Sequence, residues 1–360
     1  MSEANGWMAV VVGGMNLDIQ GRAAEVGLSA EVGLTLTAEV GLTAEVGLTA
    51  DSHPGRVVES SGGVGRNIAE NLKRLGLEVS LLTVIAGDAR ALRLAEATRA
   101  LGIDLSLSFR LESGRCPTYL CLLDPEGRLV AAVSDMDAID SLTPELIEQR
   151  FEALDRADLL VLDANLPAPS IEALARRYGR GGVLALQGRK RPLLAYDPVS
   201  VAKAGRARSV LSCFDLIKPN RAEAALLAGF RGDPASGPGR QGLSALADSW
   251  RTASSSENSA CYISLGAEGL FVEGQRERAG RFRAIVRAPE IPMINVSGAG
   301  DAAIAALAWS SLMGVPVAER AKLAVTAAAL AAAADTTVNP ALDPESLRRA
   351  AQGAQLEILS

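Results

Sequence analysis

The stretch Asn295-Val-Ser-Gly-Ala-Gly-Asp301 sets two glycines around an alanine, puts a carboxylate directly behind them and leads into an apolar run at residues 302–312. This pattern predicts a tight turn that opens a helix. The first-turn amides of such a helix have no helical acceptors, and the macrodipole places positive charge behind them. Glycines at 298 and 300 let an anion approach the backbone. A carboxylate beside an anion site is useful when a proton must be removed next to the anion, and phosphoryl transfer has that need. The amides of Gly298, Ala299 and Gly300 would hold charge on the moving phosphoryl group while Asp301 takes the proton of an attacking hydroxyl. The same residues also read as a glycine turn that only caps a buried helix.

A second glycine group, Gly62-Gly63-Val-Gly65-Arg-Asn67, precedes Ile68, Leu72 and Leu75 at helical spacing, and Gly76 stops the run. A dinucleotide fingerprint would need a glycine where Ile68 stands. Backbone amides at Gly62 and Gly63 with Asn67 suit a polyhydroxylated ligand better. Asp18 follows an apolar strand at residues 7–13, where open α/β sheets bind ligands; it also reads as a turn aspartate. Pro219-Asn220-Arg-Ala-Glu223 opens a further helix, with Glu223 also readable as a surface glutamate. Asn165, in Asp163-Ala-Asn-Leu-Pro167, also reads as a loop cap.

These residues need elements to hold them. Predicted strands at 7–13, 79–87, 158–163, near Val183, and at 193–197, 214–218 and 261–265 alternate with helical segments at 90–101, 143–154 and up to Tyr178. That order predicts a mostly parallel central sheet between two helical layers, an α/β/α fold. Two regions interrupt it. Residues 105–136 carry short β-like pieces at 118–123 and 129–133 around the turn Asp124-Pro-Glu-Gly127, and residues 18–60 precede the glycine group. The expected division is a core of 1–17, 61–104 and 137–360 and a small β-sheet lid of 18–60 and 105–136. Within the lid, residues 24–49 hold four near-copies of one hexapeptide, AEVGLT, expected to form a mobile loop or an extended hairpin. The hexads carry one acidic residue each and no catalytic set.

Composition removes several classes. The net charge is −6 with basic residues scattered, which argues against a nucleic-acid surface. Four cysteines without a CxxC pair and a single histidine, His53, argue against a zinc site or a disulfide framework and for a reducing cytoplasm. No secretory signal and no membrane-length apolar run is seen. With no GxxxxGK[ST] loop and no protein-kinase signature set, ATP would have to be held by another device, such as the helix start at 298–301.

The blocks Gly62-Gly-Val-Gly-Arg-Asn-Ile-Ala-Glu-Asn-Leu72 and Val296-Ser-Gly-Ala-Gly-Asp301 together resemble the two signatures of the ribokinase-like (PfkB) family of carbohydrate and nucleoside kinases. Ser134-Asp-Met136, Asp163 to Pro167, Asp197-Pro-Val-Ser200 and Thr337-Val-Asn-Pro340 look most like the family's pseudouridine kinases. The resemblance implies a ribokinase-like three-layer fold and ATP-dependent phosphorylation of the 5′-hydroxyl of a ribonucleoside, pseudouridine foremost, with ribose and other nucleosides as rivals. It implies that Asp301 is the base and the amides of Gly298 to Gly300 the anion hole. Asp18, Asn67 and the Gly62-Gly63 backbone would hold the ribose, with Asn165 and Thr118 as candidates for the base. Asn220 and Glu223 match the family's Asn-x-x-Glu motif, which arranges Mg²⁺ indirectly and the ATP phosphates. Ser264, Gly266, Gly269 and Asn339 fall where the family contacts the nucleotide. Asn295 replaces an aspartate that many members carry near a K⁺ site, which leaves K⁺ open. A homodimer through the lid is compatible with the resemblance. Two readings of other classes are a nucleoside-binding regulator without turnover and a dehydrogenase.

Overall fold

The structure, a computed structural model, describes residues 6–24, 31–35, 43–47, 54–229, 242–243, 260–276 and 280–359. The strand Met8–Val12 shows why the core takes the form it does: MAVVV has no polar residue, and from Ala9 onward both of its faces are buried. Ala9 and Val11 pack with Val79, Leu81, Leu159 and Val161 against Ile68, Leu72 and Trp309 on one side of the sheet. Val10 and Val12 pack with Leu82, Leu160, Leu162 and Tyr196 against Ile171, Leu174 and Tyr178 on the other. Alternate apolar residues of these strands thus feed two helical layers, as the pleat requires.

The central sheet runs Leu216–Ile217, Leu193–Asp197, Leu159–Asp163, Met8–Val12, Glu78–Leu82, with every neighbouring pair parallel. An isolated bridge from Asn220 to Ser264 passes it on to an antiparallel sheet of Cys261–Ser264, Leu270–Arg276, Gly280–Arg287 and Gln355–Leu359. The Ala299–Leu312 helix is apolar around its whole circumference, and residues 301–310 are all buried. It packs beside the Val317–Ala332 helix and against the Val64–Arg74 helix, so the two glycine-led helix starts face each other.

A second, mixed sheet stands off this core in the order Leu129–Asp135, Thr118–Leu123, Asn16–Ala23, Gly55–Gly62. Its middle pair is parallel and its outer pairs are antiparallel. The ribokinase-like three-layer fold with a small β-sheet lid is therefore present. Asp18 lies inside the lid strand Asn16–Ala23 and not in a turn.

Several elements differ from the expectations. The apolar run near Val183 is a single helical turn, Val183–Leu186, because four apolar residues between glycines carry no period that separates strand from helix. The helix expected over 143–154 is split into Pro144–Glu148 and Phe151–Leu154 at Arg150, whose guanidinium stacks on Phe109 and donates to Leu107 O. The strand expected over 79–87 divides at Thr83, and Val84–Ile85 pairs with Phe109–Arg110, a contact lying within the stretch 105–136. Of the hexapeptide block, 31–35 and 43–47 pair as an antiparallel hairpin separate from the lid sheet. The rest of the block, His53 and the loop at 231–240 lie outside the described residues.

Candidate active site

The Ala299–Leu312 helix begins from Gly298, which has φ +79°. A Cβ at Gly298 would stand 1.8 Å from Thr337 O, so only glycine permits this turn to lie against the 336–338 segment. Asp301 follows in the first turn, buried, and its Oδ2 accepts a hydrogen bond of 2.9 Å from Asn67 Nδ2. That bond joins positions 234 residues apart and ties the two glycine turns into one site. Asn67 Oδ1 in turn accepts from Arg66 Nη1 at 3.2 Å and Thr337 Oγ1 at 3.4 Å, which fixes its amide orientation. Arg66 is itself held by Glu70 at 2.9 Å on the same helix.

Asp18 lies on the lid strand Asn16–Ala23, close enough to Arg66 for their charges to interact. Asn16 Nδ2 donates to its Oδ1 at 2.6 Å, and a Cβ at Gly62 would stand 2.0 Å from its Oδ2. Gly62 and Gly63 are therefore small where the lid strand Gly55–Gly62 passes the Asp18 carboxylate and turns into the Val64–Arg74 helix. Gly63 has φ +101°, and a Cβ there would meet Gly14 O at 2.5 Å.

Three further charges, to which the sequence assigns no role, lie at the same edge of the sheet. Asp163 and Asp197 end adjacent parallel strands in register, and both are buried. Asp163 accepts from the amides of Gly14 and Asn165, each at 2.8 Å. Asp197 accepts from the Val199 amide at 2.8 Å, closing a loop in which Val199 takes φ +63°, a strained value for a β-branched residue. Buried Lys218 lies 3.6 Å from Asp197 and 3.4 Å from the Cβ position of Gly300. The available signal was position: ionisable residues at the carboxyl ends of otherwise apolar strands.

Electrostatics follow from this crowding. Burial, then the Asp197 charge, push Asp301 up to about 8 despite the opposing Asn67 bond and the Lys218 charge. Burial also raises Asp18, Asp163 and Glu223 above ordinary carboxylates and lowers Lys203.

The remaining predicted residues divide. Asn220 and Glu223 form a reciprocal capping box, with Glu223 Oε2 accepting from Asn220 N at 2.8 Å and Asn220 Oδ1 from Glu223 N at 2.9 Å. Glu223 is buried near Asp197 and Lys218, which overturns its reading as a surface glutamate. Asn165 Oδ1 accepts from Lys203 Nζ at 2.7 Å, and its amide nitrogen lies over Gly14. Thr118 Oγ1 donates to Cys116 O at 2.8 Å and leaves its lone pairs free. Ser264 Oγ bonds to Pro219 O at 3.3 Å, beside the motif of Asn220 and Glu223. Gly266 and Gly269 both have positive φ, and only Gly269 is crowded, with Val286 O 2.1 Å from its Cβ position. Asn339 is tied to Leu330 O at 2.7 Å and Ala341 N at 2.9 Å, a structural use of its side chain. Asn295 Oδ1 accepts from Ser297 N at 3.0 Å and closes its own turn.

A family model described as "pfkB family carbohydrate kinase" matches residues 31–343. The chain belongs to the pfkB family of carbohydrate kinases. It is 31% identical over 292 residues to a pseudouridine kinase from Escherichia coli (strain K12), covering 81% of this chain and 86% of that one. An uncharacterized sugar kinase from the same organism is 29% identical over 340 residues, 94% of this chain and 81% of that one. A solved carbohydrate kinase from Agrobacterium tumefaciens superposes with a TM-score of 0.72 at 28% identity over 98% of this chain and 100% of that one. The pfkB chain is thus an ATP-dependent kinase acting on a sugar or nucleoside. Among the described residues no helix is long and apolar enough to cross a membrane.

Proposed function

We propose that this kinase transfers the γ-phosphoryl group of ATP to the 5′-hydroxyl of a ribonucleoside, with pseudouridine the best-supported substrate. The observation that carries the reaction is the Asn67–Asp301 hydrogen bond, which sets a sugar-holding side chain against the base. Asp18, the Gly62-Gly63 backbone and Asn67 hold the ribose hydroxyls. Asp301 Oδ2 is engaged by Asn67, so its other oxygen takes the 5′-hydroxyl proton as the oxygen attacks phosphorus. The Gly298, Ala299 and Gly300 amides hold the charge spread over the phosphoryl oxygens. The lid strands Asn16–Ala23, Gly55–Gly62, Thr118–Leu123 and Leu129–Asp135 close over the sugar and exclude water.

Mg²⁺ fits the site in one way only. No group of three or more metal-ligating side chains occurs among the described residues, so the ion would be held mainly by phosphate oxygens and water. Asn220 and Glu223 would hold its waters, and the ion when bound neutralises phosphate charge. Ser264, Gly266 and Gly269 would line the nucleotide beyond them. The free cysteines fit a cytoplasmic setting.

Two features support a nucleobase-bearing substrate: the pseudouridine kinase relative, and polar groups with spare valences near the sugar site. Since Lys203 occupies Asn165 Oδ1 and Asp163 takes one of its amide hydrogens, Asn165 has one N–H left, which suits a pyrimidine carbonyl. Thr118 has spent its donor on Cys116 O and can only accept, which suits the extra ring N–H that pseudouridine has and uridine lacks. ATP consumption on pseudouridine, uridine, adenosine and ribose is expected to show pseudouridine ahead of uridine by at least about 10²-fold in kcat/KM, since an acceptor left unpaired once the lid has closed discriminates strongly. Equal rates on the two would sink the substrate assignment. Thr118→Val should bring the pseudouridine rate to within about tenfold of uridine, read on the same panel. Free ribose remains the second reading, because the sugar kinase relative matches more of the chain than the pseudouridine kinase does.

A further inference from the structure

Lys218 belongs to neither glycine signature, and in the proton transfer above it neither gives nor takes a proton, although its charge is felt at Asp301. It follows the short strand Leu216–Ile217 at the carboxyl edge of the sheet and is buried. Its ammonium has three N–H donors, yet its ionic partner among the described residues, Asp197 Oδ2, is 3.6 Å away, beyond a good hydrogen bond. The same Nζ stands 3.4 Å from the Cβ position of Gly300, against the first turn of the Ala299–Leu312 helix. A buried ammonium with unspent donors is costly until an anion arrives, and this one faces the place where the helix amides would receive one.

We infer that Lys218 is a catalytic cation that contacts the phosphoryl group in flight and shares its charge with the Gly298–Gly300 amides. This rests on the reaction proposed above. A bond forms between the substrate oxygen and the γ-phosphorus, and the bond from that phosphorus to the β,γ-bridging oxygen breaks. The electron pair leaves with ADP, and the hydroxyl proton goes to Asp301. Lys218 keeps its proton throughout and supplies only charge and N–H donors. The competing role is neutralisation of Asp197, in which case phosphoryl transfer would not need the amine.

The test compares Lys218→Met with the double variant Lys218→Met/Asp197→Asn in the full chain, using whichever sugar or nucleoside the wild type phosphorylates. Failure of the pseudouridine assignment therefore leaves this test intact. Loss of one charge-stabilising donor costs about 10²–10³-fold in kcat, and that loss is expected in both variants, with ADP and substrate Kd within about threefold of wild type. The double variant removes both charges together, so it decides the matter even where the single variant fails to fold. Near-normal kcat in either variant, recovery of kcat in the double variant, or ADP affinity falling as far as kcat would each overturn the inference. Near-normal turnover here alongside an inactive Asp301→Asn would remove Lys218 and leave the base in place.

Discussion

Asp301→Asn is expected to lower kcat by about 10²–10⁴-fold while ATP binding survives, because the amide keeps the shape of the helix start and loses the proton acceptor. A role confined to capping predicts near-normal turnover, since Asp and Asn cap comparably. Turnover and ATP affinity measured on the same folded variant separate the two, and near-normal turnover would defeat the mechanism. The pH profile gives a second reading. Burial and the Asp197 charge hold Asp301 at about 8, so the free enzyme carries it protonated at neutral pH. The kcat/KM of the wild type should therefore rise with pH to a plateau above about 8, and the variant should lack this limb. Stability moves the other way: an unfolded aspartate ionises near 3.8, and from there to about 8 the folded chain keeps a proton that the unfolded chain has released. Wild-type stability falls with rising pH across that window, whereas the variant has no such group, so its Tm should gain on the wild type above it.

Gly298→Ala is expected to cost about 10²-fold or more in kcat and several degrees in Tm. Holding an alanine at φ +79° costs about 1–2 kcal/mol by itself. The larger effect is steric: the new methyl would stand 1.8 Å from Thr337 O and 3.0 Å from Thr337 Cα, so the helix start or the 336–338 segment must move. A shift of about 1 Å in the anion-binding amides is enough for a loss of that size. Gly314→Ala is the control, since Gly314 has φ +69° and open space at its Cβ position. It should lose a little Tm and no kcat, and identical behaviour of the two variants would remove the steric argument.

Motifs whose chemistry is local were legible in the chain. Both glycine-led helix starts, the Asn220–Glu223 cap and the 118–135 hairpin depend on residues a few positions apart, and each forms where the spacing puts it. What depended on the fold was hidden. The Asn67–Asp301 bond and the Lys218 contact with the Gly300 turn join residues that only the parallel sheet brings together. Asp163 and Asp197 were visible as short motifs, but their side-by-side burial follows from strand order, which no local pattern states. Val183–Leu186 is helical where a strand is expected, because four apolar residues satisfy either period. Asp18 lies within a second strand, because the chain leaves the central sheet at Val12, bends at Gly13 and begins pairing in the lid sheet at Asn16.

The lid strands Asn16–Ala23 and Gly55–Gly62 pair from Asn16 with Gly62 at one end to Ala23 with Gly55 at the other. Asp18 and Gly62, proposed to hold the sugar, sit toward the first end, and the hexapeptide block joins the strands at the second. At about 3.3 Å per residue the two ends are roughly 25 Å apart. A replication slip that adds or drops one hexad therefore changes the length of chain between Ala23 and Gly55 and leaves the pairing of Asn16 with Gly62 unshifted. Selection on catalysis would have little hold on copy number, and the gene could drift in length at this one place while its active site stayed in register.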